Sequence, residues 1–109
     1  MAKDFYGPTV TKYLKALKEA NDVKAVLREA TDLSGEACVI LCAIAEEPRI
    51  TYKQLAAKTG HSNPTVKHFC NKLVAEHFVD SVRKSEKDRQ RVLFLTAEGE
   101  KKHQQILEL

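Results

Sequence analysis

Between Ser62 and Lys72 the chain concentrates groups that donate hydrogen bonds or carry positive charge: Ser62, Asn63, Thr65, Lys67, His68, Asn71 and Lys72, with Pro64 near the start. Val66, Phe69, Cys70 and Leu73 interleave with them, so on a helix the polar set faces away from the apolar one. Amides, hydroxyls and cations on one face suit the base edges and phosphates of a nucleic acid. A second group follows in Arg83, Lys84, Lys87, Arg89 and Arg91, a charged run between two apolar segments. Its guanidinium groups suit phosphates or a narrow minor groove. Lys53, Lys58, Lys84 and Lys87 read equally well as solvated surface.

The charge balance supports a polyanion as partner. Residues 49–92 carry ten basic and four acidic side chains, a balance of +6, whereas residues 1–48 carry six and eight, and residues 93–109 two and three. The net +3 therefore belongs to one segment, the footprint expected of a nucleic-acid-binding face. No Gly-rich phosphate loop, nucleophile elbow or paired carboxylates occur, so enzymatic activity is not expected. Neither a cofactor nor a metal is expected, since His61, His68, His77 and His103 lack metal-site spacing. Cys38, Cys42 and Cys70 are an odd set without C-x-x-C spacing, which fits a reducing cytoplasm. Cys38 and Cys42 stand at i, i+4, but no basic residue sits beside either, so they read as small hydrophobes rather than redox sensors. Cys70 reads as packing.

These groups must be positioned by a small scaffold. A chain of 109 residues with 43% apolar content fits one domain with one modest core. Without Trp, its aromatic bulk comes from Phe5, Tyr6, Tyr13, Tyr52, Phe69, Phe78 and Phe94. No stretch approaches the roughly 18 apolar residues of a membrane span, and Met1–Tyr6 lacks the apolar region of a secretory leader.

Gly7-Pro8 predicts a helix entry at Pro8 or Thr9, followed by the stripe Val10, Tyr13, Leu14, Leu17. Asn21-Asp22 predicts a break and a fresh cap, and Val23, Val26, Leu27 and Ala30 a second short helix. Residues 31–35 read as a connector with Ser34 as N-cap, and Ala37–Ala45 as a buried helix ended before Pro48. Thr51 and Gln54 form a capping box for a helix to about Lys58, stopped by Gly60. Ser62 caps the next helix, which runs to about Glu76 and tolerates Pro64 in its first turn. Phe78–Arg83 and Val92–Leu95 predict two strands joined by a polar tip, and Thr96 caps a last helix.

Ala56, Gly60, Val66 and Phe69 have the spacing of a helix-turn-helix. The small residue admits the second helix, Gly accepts the left-handed turn, and the two apolar residues fill the crossing. A generic helical hairpin shares that spacing, but the two strands with a basic tip extend it to a winged helix. Over about residues 33–109 the sequence resembles the MarR family of winged regulators, with some likeness to SarA-type regulators. The matching strings are Leu33-Ser34, Ile50-Thr51-Tyr52-Lys53-Gln54-Leu55-Ala56, and Ser62-Asn63-Pro64-Thr65-Val66 with Leu73. Asp88-Arg89-Gln90-Arg91 and Leu95-Thr96-Ala97-Glu98-Gly99 complete them. The family's wing arginine falls at Arg89, but the preceding Asp is one residue out of step, so Arg89 and Arg91 compete for that role. The C-terminal segment is shorter than the family's dimerisation helices.

The expected fold is therefore mainly α with a small β-wing, a winged helix-turn-helix flanked by N- and C-terminal helices. It is one domain over residues 1–109: N-terminal helices for dimerisation (1–32), a DNA-binding core (33–96) and a C-terminal helix (97–109). The resemblance implies a cytoplasmic transcription regulator, a dimeric repressor with the recognition helix in the major groove and the wing in the minor groove. Its partners would be double-stranded DNA and a second copy, with no membrane, and no small-molecule effector is indicated. Dimerisation would lean on Val10, Tyr13, Leu14, Leu17, Val23, Val26 and Leu27, with Ile106, Leu107 and Leu109. The other reading is a winged-helix protein–protein adaptor or an accessory protein of a mobile element. Such a protein would more often show an exposed apolar patch than a basic segment.

Overall fold

The most apolar stretch of the chain forms the centre of the structure, a computed structural model that describes residues 6–109; Met1–Phe5, including the Phe5 ring counted above, lie outside them. Helix α2 (Gly35–Glu46) begins where the Ser34 side chain accepts the Ala37 N–H, and Ile40, Leu41 and Ile44 are fully buried. It is not apolar all round in its packing, since Val39 is half exposed. Before it stands α1 (Gly7–Thr31). The elements after it are β1 (Ile50–Thr51), α3 (Tyr52–Thr59), α4 (Asn63–Ala75), β2 (Val79–Arg83), β3 (Arg91–Leu95) and α5 (Ala97–Leu107). Leu33, Ile50, Leu55, Val66, Cys70, Leu73, Val79 and Leu93 close one core around α2. No helix among the described residues is long and apolar enough to cross a membrane.

Two expectations are corrected. The two N-terminal helices are one helix of 25 residues, starting at Gly7 and passing through Asn21-Asp22 without a break. Neither residue lacks a Cβ or an N–H. Each costs a helix interior only a few tenths of a kcal/mol, and the Ala-, Lys- and Leu-rich flanks outweigh that. The helix ends at a left-handed Asp32, and Thr31 belongs to the helix rather than to the connector. The Thr31 hydroxyl donates to the Leu27 carbonyl at 2.6 Å and accepts the Leu33 N–H, which satisfies a buried polar group at the junction. Lys102 of α5 donates to the Thr31 carbonyl at 3.0 Å, fastening the last helix to the end of the first.

The second correction concerns the wing, which has three strands rather than two, in the order β1-β3-β2. Ile50 pairs with Leu93 and Thr51 with Val92, both antiparallel. β2 pairs with β3 from Val79–Leu95 to Arg83–Arg91. A strand of two residues has no periodicity to recognise, and it exists because β3 offers it a ladder partner.

The helix-turn-helix is built as its spacing requires. Thr51 accepts the Gln54 N–H at 3.1 Å while the Gln54 side chain accepts the Thr51 N–H at 3.0 Å, a reciprocal cap for α3. Gly60 ends α3 at φ 77°, a left-handed conformation that suits a residue without Cβ. Val66 is fully buried and Phe69 packs half-buried against the core.

Candidate nucleic-acid interface

Helix α4 is entered through Ser62, whose hydroxyl accepts the Thr65 N–H at 3.3 Å and donates to the Thr65 hydroxyl at 2.9 Å. Both hydroxyls are thus engaged in the cap, and Thr65 is half-buried. Burying Val66, Cys70 and Leu73 turns Asn63, Pro64, Lys67, His68, Asn71 and Lys72 out to solvent. The His68 ring meets Phe69 edge-on, centroids 5.2 Å apart.

The wing presents its cations unequally. Asp88 accepts the Gln90 N–H at 2.9 Å, its own N–H donates to the Ser85 hydroxyl, and Lys84 N–H donates to the Gln90 carbonyl. Asp88 therefore folds the tip, and the next residue, Arg89, stands exposed on it with no ion pair or hydrogen bond among the described residues. Arg91 lies on β3, where its guanidinium donates to the Ser81 hydroxyl at 2.9 Å and the Ser81 carbonyl at 2.8 Å. Arg83 leans on the Glu86 carbonyl, while Lys84 and Lys87 are exposed.

Not every cation of the basic segment belongs to this face. Lys58 pairs with Glu46 at 3.2 Å and reaches Glu47 at 4.0 Å, so it ties α3 to α2. Among the described residues Lys67, Lys72, Lys87 and Arg89 form no such pair. Two residues outside the expected set join the face. Arg49, at φ 69°, donates from its side chain to the Lys84 carbonyl at 3.2 Å and braces the wing base. Tyr52 opens α3 with its ring under Lys67, whose ammonium lies 6.0 Å from the ring centroid. Arg49 carried a signal only as one charge among ten; the placement of both follows from the unforeseen β1.

The expected dimer residues divide as well. Val10, Tyr13, Leu14, Leu17, Val23, Val26, Leu107 and Leu109 are exposed, whereas Leu27 and Ile106 pack against the protein's own core. Large apolar side chains in a row on a projecting helix are costly to leave in water.

The cysteines are set up for packing. Cys38 is buried with its sulfur 3.5 Å from the Thr31 hydroxyl, and burial pushes the Cys42 thiol up. Burial drives the Cys70 thiol up to about 12. At pH 8 a thiol so placed is protonated and shielded, and reactivity belongs to the thiolate. Cys70 is expected to resist iodoacetamide at pH 8 in the folded protein and to react once the chain is denatured, as read by peptide mass. Labelling of Cys70 at the rate of a free thiol in the native protein would contradict its packing role.

Comparison with known proteins matches this geometry. The family described as winged helix-turn-helix DNA-binding matches residues 39–80, from α2 into β2. By sequence, the chain matches no curated protein. The PcaV transcriptional regulator from Streptomyces coelicolor superposes with a TM-score of 0.79 at 20% identity, over 99% of this chain and 77% of that one. Streptococcus pneumoniae FabT, solved in complex with DNA, gives 0.75 at 24% identity over 92% and 73%. Staphylococcus aureus MarR, solved with salicylate and kanamycin, gives 0.75 at 16% identity over 92% and 67%. The chain thus has a winged helix-turn-helix and the fold of MarR-type regulators.

Proposed function

We propose that this chain, a winged helix-turn-helix protein with the fold of MarR and FabT, is a cytoplasmic transcription regulator that binds duplex DNA as a homodimer and acts as a repressor. Residues 33–96 form the DNA-binding core, with α4 in the major groove and the wing tip in the minor groove. Residues 1–32 and 97–109 carry the dimer contacts. On α4, Asn63, Lys67, His68 and Asn71 meet base edges or backbone and Lys72 meets phosphate, while the first turn offers backbone amides to a phosphate. At the wing, Arg89 enters the minor groove and Arg91 serves the sheet. The observation that carries the reading is the shared exposure of the α4 row and of Arg89, cations without an acidic partner among the described residues. The solved FabT complex adds a relative of the same fold that binds DNA.

The test is binding to duplex DNA across a salt series. Lys67→Ala and Arg89→Ala are each expected to weaken binding by about tenfold, on the order of 1–3 kcal/mol per lost contact. Each lost phosphate contact also flattens the salt dependence by about 0.9 in slope. Circular dichroism should stay unchanged, because both side chains are exposed. Lys58→Ala serves as the control: its ammonium is committed to Glu46, so the slope should hold. Wild-type affinity in both Lys67→Ala and Arg89→Ala would count against this docking mode. Absence of any binding at low salt would count against DNA as the partner.

A further inference from the structure

Tyr52 follows β1 and opens α3, so it stands where the sheet meets the helix-turn-helix. Over its ring lies the Lys67 ammonium of α4, 6.0 Å from the centroid. Tyr52 is half-buried against the core, so its ring has a fixed seat. Its hydroxyl has no hydrogen-bond partner among the described residues, although a phenol in a half-buried seat ordinarily has one. One neutral donor and one cation thus meet where α4 adjoins the start of α3, an arrangement matched to an anionic oxygen.

We propose that Tyr52 and Lys67 form a phosphodiester subsite at this junction, in which the Tyr52 hydroxyl donates to a DNA backbone oxygen and its ring seats Lys67. The inference rests on the duplex-DNA reading above and adds to it a residue and a ligand group. Burial pushes the phenol up from its ordinary range, with the Cys70 thiol adding to the rise and Arg91 opposing it. The hydroxyl therefore keeps its proton, and can donate, throughout the neutral range. Between the major-groove helix and the minor-groove wing the duplex presents its backbone, which puts a phosphate at this position.

Tyr52→Phe separates the hydroxyl from the ring. The variant keeps the packing and the seat of Lys67, so its melting temperature should match the wild type. Its affinity for an arbitrary duplex should fall by about five- to tenfold, the effect of losing a hydrogen bond to a charged group. Its salt slope should stay at the wild-type value, because a neutral donor displaces no counterion. Tyr52→Leu removes the ring as well, and should lower both affinity and slope as Lys67 loses its position. A Tyr52→Phe variant that binds as tightly as wild type would overturn the subsite while leaving the DNA reading intact. Failure of the wild type itself to bind duplex DNA at low salt would overturn both.

Discussion

Replacing Gly99 by alanine is expected to cost about 3 kcal/mol of stability, the upper end for forcing an atom into a packed site. For a domain of this size, that lowers the melting temperature by about 13 °C. Gly99 lies in the first turn of α5, and a Cβ built there would sit 1.9 Å from the Phe78 carbonyl oxygen, 2.9 Å from its carbon and 3.3 Å from the Leu95 Cβ. The obstacle is backbone, which cannot turn aside as a side chain would. The same Phe78 carbonyl accepts the Thr96 N–H at 3.1 Å, so displacing it breaks a second contact. Thr96 in turn donates its hydroxyl to the His77 carbonyl and accepts the Gly99 N–H at 3.0 Å. Leu95-Thr96-Ala97-Glu98-Gly99 is thus a clasp that joins the end of α4, both long wing strands and the start of α5. The wing hangs from it, and DNA binding should weaken in proportion to the unfolded population. Gly60→Ala is the informative contrast. Nothing lies within 4 Å of a Cβ there, and only the left-handed backbone resists it, at about 1 kcal/mol. Thermal melts of the two variants that coincide would remove the close-approach explanation.

The second large effect concerns assembly. Leu14→Glu combined with Leu17→Glu should turn the proposed homodimer into a monomer of unchanged secondary structure, as read by sedimentation and circular dichroism. Both side chains are exposed in the single chain, so the charges cost the fold little. In a dimer they would be buried without partners, at several kcal/mol for the pair. DNA affinity should then fall by about a hundredfold or more, because a monomer forfeits the effective concentration supplied by its second half. A variant that stays dimeric places the interface elsewhere on the molecule. A monomer that binds DNA as tightly as the parent would remove the need for two-fold recognition.

Much of this molecule is local and so is legible in one dimension. Ser34, Thr51 with Gln54, Ser62 and Thr96 all cap the helices their positions imply, since a cap bonds to backbone only three residues away. The apolar spacing of α4 likewise determines which of its residues face outward. The long-range features behave differently. The expected break in α1 rested on the weak preferences of Asn21 and Asp22, and a continuous helix overrides preferences of that size. β1 has no sequence signature, yet it draws Arg49 to the wing base.

The basic helix and wing that first marked this chain were determined by residue type and by a period of 3.6 or 2 along the chain. Their arrangement was not. With Arg89 and Arg91 two positions apart and alike in chemistry, sequence alone leaves both open. Tertiary structure binds Arg91 to Ser81 across a strand pair and leaves Arg89 on a turn folded by Asp88. Side-chain chemistry and local hydrogen bonds are written residue by residue. Which cation is spent inside the protein, and which remains for a partner, depends on neighbours ten or more residues away that only the folded chain brings together.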